Sequence, residues 1–177
     1  FRQSAVEIRA PAGTYEAVEA AVRRGANAVY LGGKSLNARR NAGNFSAQEL
    51  KAAAEYCHAR GVQVHMALNT LADDTEIKAQ VQAAVRDACL AGVDALIVQD
   101  LGVYRIVRQC APTMPVHAST QMSVHTLAGV QRLAELGFTR AVLARELSLR
   151  EIEYITKNSP IEIEVFVHGA LCMCVSG

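Results

Sequence analysis

Seven short β-rich runs recur along the chain with helix-patterned stretches between them: VEIRA, NAVYLGG, VQVHMALNT, DALIVQD, MPVHAST, TRAVLAR and IEIEVFVHG. A strand, a helix and a further strand, repeated, specify a parallel sheet with crossover helices. Ser46-x-x-Glu49, Asp73-x-x-Glu76 and Ser148-x-x-Glu151 each match a capping box, which marks three helix starts. Gly25, Gly61, Gly92 and Gly137 stand where helices should end in a left-handed residue. At 177 residues, with no low-complexity linker or charge block, the expectation is one domain over 1–177.

Two architectures suit this order, a doubly wound open sheet and a TIM-type (β/α) barrel. Side-chain alternation favours the barrel. In the third run Val62, Val64, Met66 and Leu68 oppose Gln63, His65, Ala67 and Asn69; in the seventh, Ile161, Ile163, Val165 and Val167 oppose Glu162, Glu164, Phe166 and His168. Successive strand residues point to opposite faces, so one face suits surrounding helices and the other is unusually polar. Central strands of a doubly wound sheet are apolar on both faces, so recurrent polar positions fit a barrel lumen better. Extending the parity turns Glu7, Arg9, Tyr30, Gln63, His65, Asn69, Gln99, His117, Ser119, Gln121, Glu164 and His168 inward. Left unpaired, such groups cost roughly 1–3 kcal/mol each, so they must meet one another, water or a ligand. A hydrogen-bonded lumen without chemistry is the alternative for any one of them. Seven strands make an incomplete barrel, with β-edges available for self-association.

A formal charge of +1, 20% charged residues and 51% hydrophobic residues exclude a disordered chain and a polybasic nucleic-acid surface. The nine aromatics include no Trp and form no stripe with basic residues, so any RNA footprint is small or supplied elsewhere. No apolar run approaches the ~18 residues of a membrane span, and the N-terminus lacks an apolar leader core, so the expectation is a cytoplasmic protein with no membrane partner. Five cysteines in such a chain should be reduced. Cys57, Cys89 and Cys110 fall on helical apolar patterns and are expected in the core, leaving Cys172 and Cys174 for chemistry.

Barrel sites form at the C-terminal ends of strands, where this sequence carries APAG (10–13), LGGKSLNARRNAGNFS (31–46), LNT (68–70), VQD (98–100), HASTQ (117–121), ARELS (144–148) and HGALC (168–172). In this order the segments closely resemble the collagenase-like peptidase family U-32. The ending fits that family's signature: Glu164-x-Phe166-x-x-Gly169-Ala170-Leu171-Cys172, then on to Ser176 and Gly177. The signature continues with one residue and a second cysteine, so the chain reads as the N-terminal barrel part of a longer member, interrupted within the signature.

The family name implies proteolysis, whereas several members are similar to iron–sulfur proteins that hydroxylate pyrimidines of ribosomal or transfer RNA, or a quinone precursor, without molecular oxygen. A helical His-Glu-x-x-His is absent, and Ser119 near His117 has no nucleophile elbow. A 4Fe-4S cluster needs about four thiolates. The resemblance makes Cys172 the first of them in the full-length protein, with the other ligands beyond the chain end, so this piece alone is expected to bind no cluster and to be inactive. His65, His117 and His168 with a lumen carboxylate are a less specific metal-site candidate.

The same resemblance assigns His117, Ser119, Gln121, Asn69 and His168 to positioning the substrate or a small organic oxygen donor. Arg39, Asn44, Gln99, Arg145 and Glu146 are the expected substrate contacts, with Arg39 and Arg145 suited to anionic groups; Arg145 and Glu146 can equally be a structural ion pair. HASTQ and VQD look nearest to the ribosomal-RNA branch. The leading expectation is therefore an RNA pyrimidine 5-hydroxylase. The alternatives are a collagenase-like peptidase with a protein substrate, and a non-catalytic barrel subunit.

Overall fold

A computed structural model describes residues 6–32, 45–68 and 74–167. Helices and strands alternate along the described chain: β1 (Arg9–Pro11), α1 (Tyr15–Arg23), β2 (Ala28–Gly32), α2 (Ala47–His58), β3 (Gln63–Leu68), α3 (Asp74–Ala91), β4 (Ala95–Val98), α4 (Leu101–Cys110), β5 (Val116–Ala118), α5 (Leu127–Leu136), β6 (Arg140–Val142), α6 (Leu149–Asn158) and β7 (Glu162–Glu164). Six of the seven strands fall inside runs read from the sequence, and β1 overlaps the end of VEIRA and extends one residue past it, to Pro11. The strands follow one another in the order β1-β2-β3-β4-β5-β6-β7, and β1–β2, β2–β3, β5–β6 and β6–β7 pair in parallel. This is the order of an incomplete TIM-type (β/α) barrel, as the alternation of polar and apolar faces predicts.

The described residues pack as two compact units, one within 1–96 and 106–114 and the other within 97–105 and 115–177. In the first, the apolar face of β3 (Val64, Met66, Leu68) is buried, as are Leu50, Ala53, Ala54 and Cys57 along α2. Burial of each such Val or Leu contributes roughly 1.5–3 kcal/mol. In the second, Val116, Ala118, Ala141 and Val142 of the strands are buried with Val130 and Leu133 of α5 and Ile155 of α6.

Local chemistry sets the helix ends. Thr14, Ser46, Thr126 and Ser148 each accept a backbone N–H of the first turn, and Ser148 with Glu151 completes a full capping box. Asp73 lies outside the described residues. The four predicted terminator glycines all have positive φ. At Gly137 the constraint is double: φ is 99°, and a Cβ there would sit 2.9 Å from the Tyr104 hydroxyl, which donates to the Leu136 carbonyl while its ring stacks on Phe138.

Three expectations are corrected. Cys89 and Cys110 are exposed, and among the described cysteines only Cys57 is buried. The buried stripe of α3 runs Val81, Ala84, Val85, Ala88 and Ala91, so Cys89 is turned off it by one residue; Cys110 is the last residue of α4, where the helix has no further turn to pack. The parity of the seventh run stops at Glu164: Val165 and Val167 lie past the strand and are 37% and 94% exposed. Glu7 precedes β1 and is exposed, so it takes no place in the strand wall.

Candidate functional site

Most of the described residues expected at the site belong to the second unit. β5, β6 and β7 are in parallel register with His117 opposite Arg140 and Arg140 opposite Glu162. In-register positions of parallel strands share a face, so a histidine, an arginine and a glutamate form one row, with Glu164 two residues on from Glu162. His117 and Arg140 are 4% and 9% exposed. Arg140 Nε donates to Glu162 Oε2 at 2.8 Å, its second terminal nitrogen lies 2.7 Å from the same oxygen, and its other terminal nitrogen is 3.7 Å from Glu164 Oε2. A guanidinium does not deprotonate in a protein, so Arg140 acts as a fixed charge that neutralises two carboxylates and orients them. Arg140 is not among the residues expected at the site from the sequence. Its place beside the acidic face of IEIEV is set by strand register, which the residues of TRAVLAR alone do not fix.

Gln99, Ser119 and Gln121 lie past the strand ends rather than in the wall, because β4 closes at Val98 and β5 at Ala118. Ser119 N–H donates to the Val98 carbonyl at 2.8 Å, and its hydroxyl accepts the Gln121 N–H at 3.4 Å, capping a 3-10 turn over Thr120–Met122. Gln99 is half-buried and Gln121 exposed. Beside Gln99, Asp100 Oδ1 accepts the Val103 N–H at 2.8 Å and so starts α4.

After β6, Arg145 and Glu146 are both exposed. Arg145 lies over the Phe166 ring, with its guanidinium carbon 4.3 Å from the centroid. Glu146 Oε2 is 3.6 Å from His125 Nε2, while His125 Nδ1 donates to the Ser123 carbonyl at 2.6 Å. His125 and Arg140 are thus contact residues outside the sequence-based expectations, whereas Phe166 stands among them as part of the seventh run's polar face and of the family signature.

The first unit carries a second polar row. Pro11, Tyr30 and His65 are in register, two residues beyond Arg9, Ala28 and Gln63. A terminal nitrogen of Arg9 donates to His65 Nδ1 at 3.3 Å, and Arg9 also lies over the Tyr30 ring at 5.3 Å. Because Nδ1 accepts, Nε2 carries the proton and donates to Gln63 Oε1 at 3.1 Å. The geometry therefore assigns His65 the neutral Nε2–H tautomer.

Among the described residues there is no group of three or more His, Cys, Asp or Glu placed to hold a metal ion. The described cysteines do not fit an iron–sulfur cluster either. They sit on three different helices, and burial, with a smaller contribution from the Asp94 charge and against the pull of Arg60, pushes the Cys57 thiol up to about 11. Such a group stays a thiol at neutral pH, whereas cluster ligation requires the thiolate. Asn69, His168, Arg39, Asn44 and Cys172 lie outside the described residues.

Parallel strands alternating with helices, with Gln99, Ser119, Gln121, Arg145 and Glu146 past the strands' C-terminal ends and Arg9, Gln63, Arg140 and Glu162 at the first residues of theirs, define a (β/α)-barrel protein. Solved structures agree. The structure of the U32 peptidase Mk0906 superimposes with a TM-score of 0.70 at 16% identity, over 93% of this chain and 70% of that one. Phosphoenolpyruvate phosphomutase from Streptomyces platensis gives 0.61 at 18%, over 92% and 69%. These likenesses speak to the fold. The chain belongs to peptidase family U32, whose family model matches residues 13–177. It is 38% identical over 172 residues to the 23S rRNA 5-hydroxycytidine C2501 synthase of Escherichia coli, covering 97% of this chain and 26% of that protein. It is 37% identical over 172 residues to tRNA hydroxylation protein P of the same organism, covering 97% and 38%. The collagenase of Porphyromonas gingivalis is 35% identical over 186 residues, covering 97% and 43%. The chain thus spans between about a quarter and two fifths of the length of these curated relatives.

Proposed function

We propose that the full-length protein is an oxygen-independent pyrimidine 5-hydroxylase acting on RNA, with ribosomal RNA the favoured substrate and a 4Fe-4S cluster as cofactor. The observation that carries this reading is the 38% identity to the 23S rRNA 5-hydroxycytidine C2501 synthase across 97% of the chain. Relatives with tRNA hydroxylation in their names match over the same share of this chain. The cluster, when bound, would supply redox chemistry, and Cys172 would be one of its ligands. His117, Ser119, Gln121, Asn69 and His168 would position the base or a small organic oxygen donor. Arg39, Asn44, Gln99, Arg145 and Glu146 would contact the substrate. An RNA substrate also fits a cytoplasmic location, and no described helix is long and apolar enough to cross a membrane.

The collagenase relative favours a second reading, a peptidase. Ser119 weighs against a serine nucleophile there, since its hydroxyl is used as a turn cap. The two readings separate on the full-length protein purified without oxygen. The hydroxylase should carry iron and acid-labile sulfide, both reduced by Cys172→Ala, and should leave gelatin intact. Protein free of iron and sulfide that cleaves gelatin would establish the peptidase instead.

A further inference from the structure

Past the ends of β6 and β7 the chain sets a guanidinium on an aromatic ring. Leu143 N–H donates to the Glu164 carbonyl at 2.9 Å, one step beyond the last residue of β6. Two residues further along the adjacent segments come Arg145 and Phe166, with the guanidinium carbon 4.3 Å from the ring centroid. Neither is a core residue. Arg145 is exposed, and Phe166 is 41% exposed between Val165 and Val167 at 37% and 94%. Arg on an aromatic face gives a flat, cationic and partly apolar surface. It lies at the strand ends where (β/α) barrels receive substrates.

The neighbouring charges select what such a surface can take. Glu146 follows Arg145 in the chain, and Glu164 precedes Phe166 by two residues. Arg140 lies 3.7 Å from Glu164, and His125 lies 3.6 Å from Glu146. Arg140 and Arg145 are outnumbered by the carboxylates of Glu146, Glu162 and Glu164, so a polyanionic phosphate run finds no net positive charge here. An uncharged planar ring loses nothing to them and stacks equally well on a guanidinium or a phenyl face.

We propose that Arg145 and Phe166 form a stacking platform for an unpaired nucleobase of the RNA substrate. The inference rests on the RNA-hydroxylase reading above and adds to it the place where a base is gripped. It is tested on the full-length protein with a short single-stranded RNA carrying 5-iodouridine. Irradiation should crosslink the unsubstituted protein at Phe166 or its immediate neighbours. Phe166→Leu should weaken binding about tenfold without changing the salt dependence, whereas Phe166→Tyr should stay within about twofold. Arg145→Lys keeps the charge and loses the plane, so it should also weaken binding. If the protein modifies RNA, yet crosslinks map elsewhere and Phe166→Leu binds as the parent does, the platform is wrong and the hydroxylase reading stands. If the parent binds a gelatin peptide and neither binds nor modifies RNA, both are overturned.

Discussion

Arg140 shows how one side chain organises its surroundings. Its side chain is 10% exposed, while that of Glu162 is 65% exposed, so the cost of separating the pair is unequal. Arg140→Met would leave Glu162 in reach of water, but Glu164, 20% exposed, would keep a buried oxygen facing the lost cation. Glu162→Ala would instead strip the strongest acceptor from a buried cation, with Glu164 remaining at 3.7 Å. The expected loss for Glu162→Ala is about 1–3 kcal/mol, with Glu162→Gln recovering part of it, read from urea unfolding. The cysteines give a second residue-scale prediction. With its thiol pushed up to about 11 by burial, Cys57 should resist iodoacetamide at pH 8 until the protein is denatured. Exposed Cys89 and Cys110 should react in the native state, which peptide mass spectrometry will resolve. Cys57 was legible because its partners on α2 repeat at helical spacing over a full face; Cys89 was misplaced because a one-residue offset turns a side chain by about 100°.

At the scale of the element, the start of α6 is set by reciprocal bonds. Ser148 N–H and its hydroxyl both donate to Glu151 Oε2 at 2.7 Å, while Glu151 N–H donates to the Ser148 hydroxyl at 3.3 Å. The Ser148 hydroxyl bond, then its backbone bond, hold the Glu151 carboxyl below the usual range. A depressed folded value means that this contribution is present above the unfolded carboxylate value near ~4.3 and fades as pH falls through the folded value. The stability difference between the parent and Ser148→Ala should therefore narrow on acidification, measured as paired urea midpoints from neutral to acid pH. Caps of this kind are local, within four residues, which is why helix starts could be read from sequence. Strand ends could not. The parity of VQD, HAST and EVFVH continues unbroken past Val98, Ala118 and Glu164, but the ladders stop there, and the following residues turn into caps and loops.

For the whole molecule, the fold was legible because alternation of β-runs with capped helices admits few topologies, and a polar strand face separates a barrel from a doubly wound sheet. The site was only partly legible. His117 announced itself as a polar residue in an apolar strand, whereas the role of Arg140 depends on register with β7, set by residues more than twenty positions away. Membership of peptidase family U32 follows from the match over residues 13–177, and the hydroxylase reading rests on the relatives within it. Mass spectrometry of nucleosides from ribosomal and transfer RNA, compared between cells with and without the gene, tests that reading most directly. On the hydroxylase reading, a pyrimidine carrying one added oxygen at C5 disappears with the gene and returns when the full-length protein is supplied. Identical nucleoside profiles in the two strains, under oxygen-free and aerated growth alike, would contradict it.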